Sequence, residues 1–369
     1  MGLVGSNAAA SFTRRRLLAA AGLGLLAPGC LGGGEGPTTA PRIRPQGPPR
    51  LTGPIRAAVP PGSVDAADAA DFTQLRGAAV DLVTHAGGPS LSRLVASGGI
   101  DAVLARQDDI AALAAQGLLA PLDDALVPNL DNVLPALLDQ PYDPGNRHSA
   151  PARHGAFGFA YRADTVTEEP ASWEEFFALL PRYSRTGIVL LPGRVEPIAA
   201  ALAANGADIN SDDPDDLTAA RNLLVKARPH VNGFSTNPAA AFVSEALVLA
   251  MGAGSAFARQ APAAAFVFPD GGAESWIDAW AVTASSPRPE AGHAFVNHQL
   301  SPASQARDWQ LSRTPAAVQA AAPLVPRRLR ADPRTRVGAG LGGGFTPALL
   351  SPAGLAQRTQ IWAEIRPGA

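Results

Sequence analysis

Few side chains in this sequence are equipped for covalent chemistry. Cys30 is the only cysteine and Lys226 the only lysine. A chain without thiols after position 30 has no internal disulfide, thiolate metal site or cysteine nucleophile, and Schiff-base or Ser-x-x-Lys chemistry has almost no candidate. Six histidines are scattered without a His-x-x-x-His pair, which argues against zinc; His85 and His154 read as satisfied loop or core histidines. There is no Gly-x-Ser-x-Gly elbow and no coherent Ser/His/Asp set, so an exported hydrolase lacks its nucleophile and base. Asp212-Asp213-Pro214-Asp215-Asp216 does not have EF-hand spacing and reads as a helix N-terminus favoured by the macrodipole. Gly338-Ala339-Gly340-Leu341-Gly342-Gly343 matches Gly-x-Gly-x-x-Gly, but no strand feeds it, so it reads as a loop. Trp280 follows Asp278 at strand spacing, on the same face, either beside it in a site or packed in the core. The expectation is a protein that binds without catalysing, with no cofactor and no metal.

The first thirty residues have the anatomy of an export signal. Thr13-Arg14-Arg15-Arg16-Leu17-Leu18 sets a twin arginine, Arg14 and Arg15, before apolar residues, and an uncharged run from Leu17 to Gly29 ends at Cys30. A charged start, short apolar core and small residues before the cut define such signals, and the twin arginine points to the Tat route. Thirteen uncharged residues fall short of the roughly 20 that span about 30 Å of hydrocarbon. Ala27-Pro28-Gly29-Cys30 resembles a bacterial lipobox, with Cys30 as the lipidated residue, although leucine stands one place early at position 26. Residues 31–54, rich in Gly and Pro, suit a tether. The mature chain is expected on the extracytoplasmic face of the cell membrane, held there by lipid.

About 315 residues remain beyond the tether, more than one ordinary core accommodates. A hydrophobic content of 46%, a charged content of 17% and a net charge of −2 describe a lightly charged globular chain with no general attraction for nucleic acid. Short apolar runs alternate with amphipathic stretches. Strands are expected at Ile55–Val59, Val80–Thr84 and Ile100–Leu104, with helices at Ser63–Leu75 (Ser63 as N-cap), Ser90–Ala96 and Asp108–Ala115, closed by Gly117. That cadence predicts a parallel sheet covered by helices. Further strands are expected at Phe157–Tyr161, Ile188–Leu191, Ala265–Phe268 and Trp276–Thr283. Helices are expected at Ser172–Leu180, Glu196–Asn205, Asp213–Arg228, Pro238–Met251 and Pro289–Leu300.

The segment Leu138-Asp139-Gln140-Pro141-Tyr142-Asp143-Pro144-Gly145-Asn146-Arg147-His148-Ser149-Ala150-Pro151 resembles that of spermidine/putrescine-binding proteins, in which a Pro-Phe-Asp-Pro-x-Asn turn precedes Ser-x-Pro and an apolar strand. Ala171-Ser172-Trp173, Gly254-Ser255-Ala256-Phe257 with Arg259-Gln260, and Gly271-Gly272-Ala273-Glu274-Ser275-Trp276-Ile277-Asp278 follow in the family's order, so the resemblance runs from about residue 55 to 330. It implies a type II periplasmic-binding-protein fold, two α/β lobes with a ligand cleft between them, and partnership with an ABC permease. The implied division is 55–157 plus 279–316 for one lobe and 158–278 plus 317–369 for the other. Crossings are expected near His154–Phe159, Trp276–Thr283 and Ser312–Ala316.

The resemblance also implies site residues. Asp278 falls on the family's amine-binding aspartate, Trp276 on a cleft tryptophan and Glu196 on a cleft glutamate. Carboxylates meet ammonium groups and aromatic faces cover methylenes, adding about 0.5–2 kcal/mol of cation–π attraction each. Other positions depart from the pattern. The Trp-Thr-Glu-Tyr after the first strand aligns with Ile55-Arg56-Ala57-Ala58, a second aspartate with Gly193, and a tryptophan with Gly252. Arg106 enters where the family has Pro-Ser-x-Tyr, and Arg194 and Arg313 are further arginines expected at the cleft. The ligand set is therefore Asp278, Trp276, Glu196, Arg106 and Trp280. Its mixed charge suits a zwitterion or carboxylated amine at least as well as free spermidine. The functional expectation is a monomeric solute-binding lipoprotein of an ABC importer that takes a polyamine or related amine. The alternative is an anchored envelope protein of the same fold whose self-paired cleft binds nothing and which acts through protein partners.

Overall fold

The computed structural model describes residues 50–244, 247–335 and 350–366; Arg14, Arg15, Cys30, most of the tether and Gly338–Gly343 lie outside them. Strands β1 (Ile55–Val59), β2 (Val80–Thr84) and β3 (Ala102–Arg106) alternate with helices α1 (Ala66–Arg76), α2 (Gly88–Ala96) and α3 (Gln107–Ala115). β1 pairs in parallel with both β2 and β3, the arrangement that βαβ crossovers enforce. The long strand β4 (Ser149–Tyr161) follows, then α4 (Trp173–Tyr183), β5 (Ile188–Leu190), α5 (Glu196–Ala204), α6 (Pro214–Ala227) and β6 (Gly233–Phe234). Next come α7 (Pro238–Ser244), β7 (Leu249–Ala253), α8 (Gly254–Gln260), β8 (Ala265–Val267) and β9 (Ser275–Val282). Helices α9 (Pro289–Gln299), α10 (Pro302–Ser312), α11 (Arg327–Arg330) and α12 (Pro352–Ile365) complete the described chain.

The strands lie in the order β2-β1-β3-β9-β4-β7-β5-β6, with β8 also on β4. β4 links the two halves of this arrangement. From Ser149 to Ala156 it runs antiparallel to β9, which in turn lies against β3, whereas from Phe157 onward it pairs with β7 and β8. Its side chains divide in the same way: Ala150 and Ala152 join a core with Ile55, Val103 and Phe295, while Phe157 and Phe159 join another with Trp173, Phe176 and Trp362. β9 divides too, Trp276 belonging to the second core and Ile277, Ala279 and Trp280 to the first. Two α/β lobes thus share a pair of crossing strands, and Arg153 bridges to Ala316 on a third returning segment.

Several motif residues hold this frame together. Asp143, buried at the turn before β4, accepts hydrogen bonds from the backbone N of Ser149 (2.7 Å), its hydroxyl (2.7 Å) and the His148 N (3.1 Å). Ser172 and Glu175 form a reciprocal capping box on α4, and the Trp173 indole N–H donates to the Gly272 carbonyl at 2.9 Å, tying α4 to the loop that feeds β9.

Element boundaries differ from expectation at instructive places. α1 is capped by Asp65, whose carboxylate accepts from the Ala67 N at 2.9 Å, while the Ser63 hydroxyl donates to the Pro60 carbonyl at 2.6 Å. β3 runs two residues further, to Arg106. The expected helix Pro238–Met251 stops at Ser244, and Leu249–Ala253 is a central strand. An apolar run buried on both faces carries no period that separates helix from strand.

Candidate functional site

Where β9 passes from one core to the other its alternating side chains place Trp276 and Asp278 on one face, and Glu274 immediately precedes the strand. The neighbouring strands set what surrounds them. Asp278 stands directly opposite Arg106 of β3 and opposite Arg153 of β4, and Trp276 is opposite Gly155. A register shift between Pro151 and Arg153 is the bulge that re-aims Arg153. Arg153 is buried; its Nε donates to Asp278 Oδ2 at 2.9 Å and its Nη1 to Asp308 Oδ1 of α10 at 3.0 Å. Burial alone pushes the guanidinium down in pKa, and the two carboxylates reverse this. Asp308 is itself raised by burial, against the pull of Arg153. Arg106 Nε lies 3.9 Å from Asp278 Oδ1, an ion pair without a hydrogen bond, and its guanidinium carbon sits 5.0 Å over the Trp276 ring and 5.5 Å over Phe157.

Local sequence explains these placements. A Cβ on Gly155 would stand 2.5 Å from the Trp276 ring, so glycine there lets the indole lie across β4. The buried Gln107 side chain accepts the Ile277 N–H at 2.8 Å, fixing the β3–α3 junction, and hence Arg106, against β9. Around Arg153, Trp276 and Asp278 lies a cavity of about 170 Å³, walled by Pro60–Ser63 after β1, by Ser255 and Arg259 of α8, and by Ser312 and Thr314.

A second polar group flanks Arg106. Glu196 opens α5 and its carboxylate folds over Gly193, filling the space a side chain there would take. The carboxyl of Glu274 is pushed well up by burial and by Glu196 and Asp108, against Arg106, and one of its oxygens is buried with no hydrogen-bond partner among the described residues. Asp108 is raised by desolvation, with Asp109 and Glu196 adding to it and Arg106 and Arg194 opposing.

The structure therefore brings Asp278, Trp276 and Arg106 into contact and sets Glu196 within electrostatic reach of Arg106's neighbours. Trp280 is a correction. It is 2% exposed and packs edge-to-face on Phe295 at 5.4 Å; although it shares Asp278's strand face, β9 has by then run beneath α9. Around β1, Ile55, Ala57 and Ala58 are core, and Pro60–Ser63 line the cavity. Arg313 sits within electrostatic reach of Asp332 and does not line the cavity. His85 is satisfied, its Nδ1 accepting from Gly87 N at 3.0 Å and its Nε2–H donating to Leu104 O at 2.9 Å. Burial pushes His154 down to about 4. Sequence reasoning did not find Arg153 or Asp308, because their meeting depends on strand register and on a helix 155 residues away, nor Arg259, which α8 brings to the cavity wall. Among the described residues no cluster of His, Cys, Asp or Glu is set to hold a metal, and no helix is long and apolar enough to cross a membrane.

Two α/β lobes joined by crossing strands, with a charged and aromatic cleft at the junction, define a binding protein of the periplasmic type. The sequence profile of the bacterial extracellular solute-binding proteins matches residues 69–333, and the chain belongs to that family. It is 28% identical over 297 residues to a putrescine/agmatine-binding protein of Pseudomonas aeruginosa, covering 75% of this chain and 81% of the relative. It is 34% identical over 210 residues to spermidine/putrescine-binding periplasmic protein 1 of Haemophilus influenzae, covering 55% and 57%. The fold matches the spermidine/putrescine ABC transporter substrate-binding protein PotD of Streptococcus pneumoniae with a TM-score of 0.77 at 19% identity, over 85% of this chain and 98% of that one. It also matches the TpPotD lipoprotein of Treponema pallidum with a TM-score of 0.75 at 21% identity, over 85% and 99%.

Proposed function

We propose that this protein captures an amine-containing small solute, a polyamine or a relative of one, between its lobes and delivers it to an ABC permease. The observation that carries the reading is Asp278: a carboxylate on a crossing strand, beside Trp276, lining the cavity between the segments that follow β1 and those of α8. Asp278 receives the ammonium group and Trp276 covers the adjoining methylenes, while Glu196 serves the far end. Capture is closure of the lobes about β4 and β9, with no bond made or broken. The relatives' names, putrescine/agmatine-binding and spermidine/putrescine-binding, support the solute class.

In this proposal residues 1–30 are a Tat signal led by Arg14 and Arg15, and Cys30 is lipidated. Residues 31–54 tether a monomer whose lobes are 55–157 plus 279–316 and 158–278 plus 317–369. The test is calorimetry and thermal shift on the chain lacking residues 1–30, against putrescine, agmatine, spermidine and their carboxylated counterparts. A solute held at 100 times its Kd adds about 2.7 kcal/mol of stability, and Asp278→Ala abolishes that gain. Silence across the whole panel overturns the reading and favours a cleft closed by its own ion pairs.

A further inference from the structure

We infer that the cavity beside Asp278 takes the head of an amino-carboxylate, a solute bearing an anionic carboxylate next to its amine, in preference to a bare di- or polyamine. The inference rests on the proposal that this cleft captures an amine, and adds the group on the other side of that amine.

The lining decides the sign. Two guanidinium groups, Arg153 and Arg259, face the cavity against one carboxylate, Asp278. Asp278 is already hydrogen-bonded by Arg153 and lies 3.9 Å from Arg106. A second ammonium brought into this space meets no further carboxylate in the lining and approaches arginines instead. A carboxylate finds donors in place. Arg153 uses Nε and Nη1 on Asp278 and Asp308, so Nη2 is the end of the guanidinium that neither aspartate engages. Arg259 lies exposed on α8 and forms no ion pair among the described residues. The hydroxyls of Ser255 and Thr314, also in the lining, make no hydrogen bond to other described residues. Guanidinium forks and hydroxyl donors converging on one small space are how proteins hold carboxylates. The volume of about 170 Å³ equals some five or six waters at about 30 Å³ each, enough for an amino-carboxylate head. Asp278 Oδ1, which no hydrogen bond among the described residues engages, is then the acceptor for the amine beside that carboxylate.

The experiment uses matched pairs that differ only by the carboxylate: ornithine against putrescine, and arginine against agmatine. Affinities are measured by calorimetry on the folded chain lacking residues 1–30. The expected result is that the amino acid of at least one pair binds about tenfold or more tightly than its decarboxylated partner, the worth of a charge-assisted hydrogen bond. Arg259→Gln, on the surface, should then shrink that ratio to about threefold or less by weakening the amino acid alone, with the melting temperature of the unliganded protein unchanged. Asp278→Asn should weaken both members together. Amines binding as tightly as their amino acids, or a ratio untouched by Arg259→Gln, overturns the inference while leaving amine capture standing. No binding by either member of either pair overturns both.

Discussion

Asp278 is held by two arginines from opposite sides, and that shared carboxylate is what the site turns on. With Arg153 buried and bridging Asp278 and Asp308, removal of either aspartate leaves a buried guanidinium short of compensation. Asp278→Asn is therefore expected to lower unfolding stability by about 3 kcal/mol, as loss of one partner from a buried pair does, and to weaken solute binding by more than about 100-fold. Urea titration and calorimetry on the same preparation read the two effects. Trp280 makes the opposite prediction. Because its indole fills the core against Phe295, Trp280→Phe should cost about 1–2 kcal/mol through the space it leaves, while the solute Kd stays within about twofold. A large change in Kd at constant stability would return Trp280 to the binding site.

The elements are positioned by a small number of side chains between helices and strands. β4 depends on Gly155, where a Cβ would stand 2.5 Å from the Trp276 ring. Gly155→Ala is expected to displace that indole, changing tryptophan fluorescence and weakening binding about tenfold or more, a loss of around 1.4 kcal/mol. Helix α1 is docked by Asp68, which accepts from Gln299 of α9 at 2.6 Å and from Arg307 of α10 at 2.7 Å. Burial pushes the Asp68 carboxyl up, but His298, Ser304 and Arg307 outweigh it and hold the group down at about 2, below its ordinary 3.8. The ionised form is thus favoured by folding. Its contribution, about 2 kcal/mol, is complete above pH 4 and is lost as pH falls from 4 towards 2. Asp68→Asn should flatten the stability profile across that window, measured by denaturant titration at each pH. A profile unchanged by the substitution would show that α1 is held by other contacts.

At the scale of the molecule, the proposed capture has the two cores approach about β4 and β9 without unfolding either. Saturating solute should therefore reduce the radius of gyration measured by small-angle X-ray scattering while far-ultraviolet circular dichroism stays constant. An unchanged radius with proven binding would mean that the cleft is already closed without solute. Delivery belongs to this scale too. On the proposed lipidation of Cys30, Cys30→Ser should release the protein from membranes into the soluble extracytoplasmic fraction. Replacing Arg14 and Arg15 by lysine should hold it in the cytoplasm, both read by fractionation and immunoblot.

The sequence by itself determined the α/β class, the family resemblance and the strand carrying Trp276 and Asp278. These are local quantities: period, caps such as Ser172, and short motifs whose residues act near one another in the chain. Some resemblance motifs prove structural, Asp143 fixing the start of β4 and Trp173 reaching the Gly272 carbonyl. Only the tertiary structure decided that Leu249–Ala253 is a strand, because burial on both faces erases its period. It alone separated Trp276 from Trp280, which local spacing treats alike but which lie in different cores. And it alone joined Arg153, Asp278 and Asp308, since cross-strand register and helix packing, not distance along the chain, determine which charges meet in the cleft.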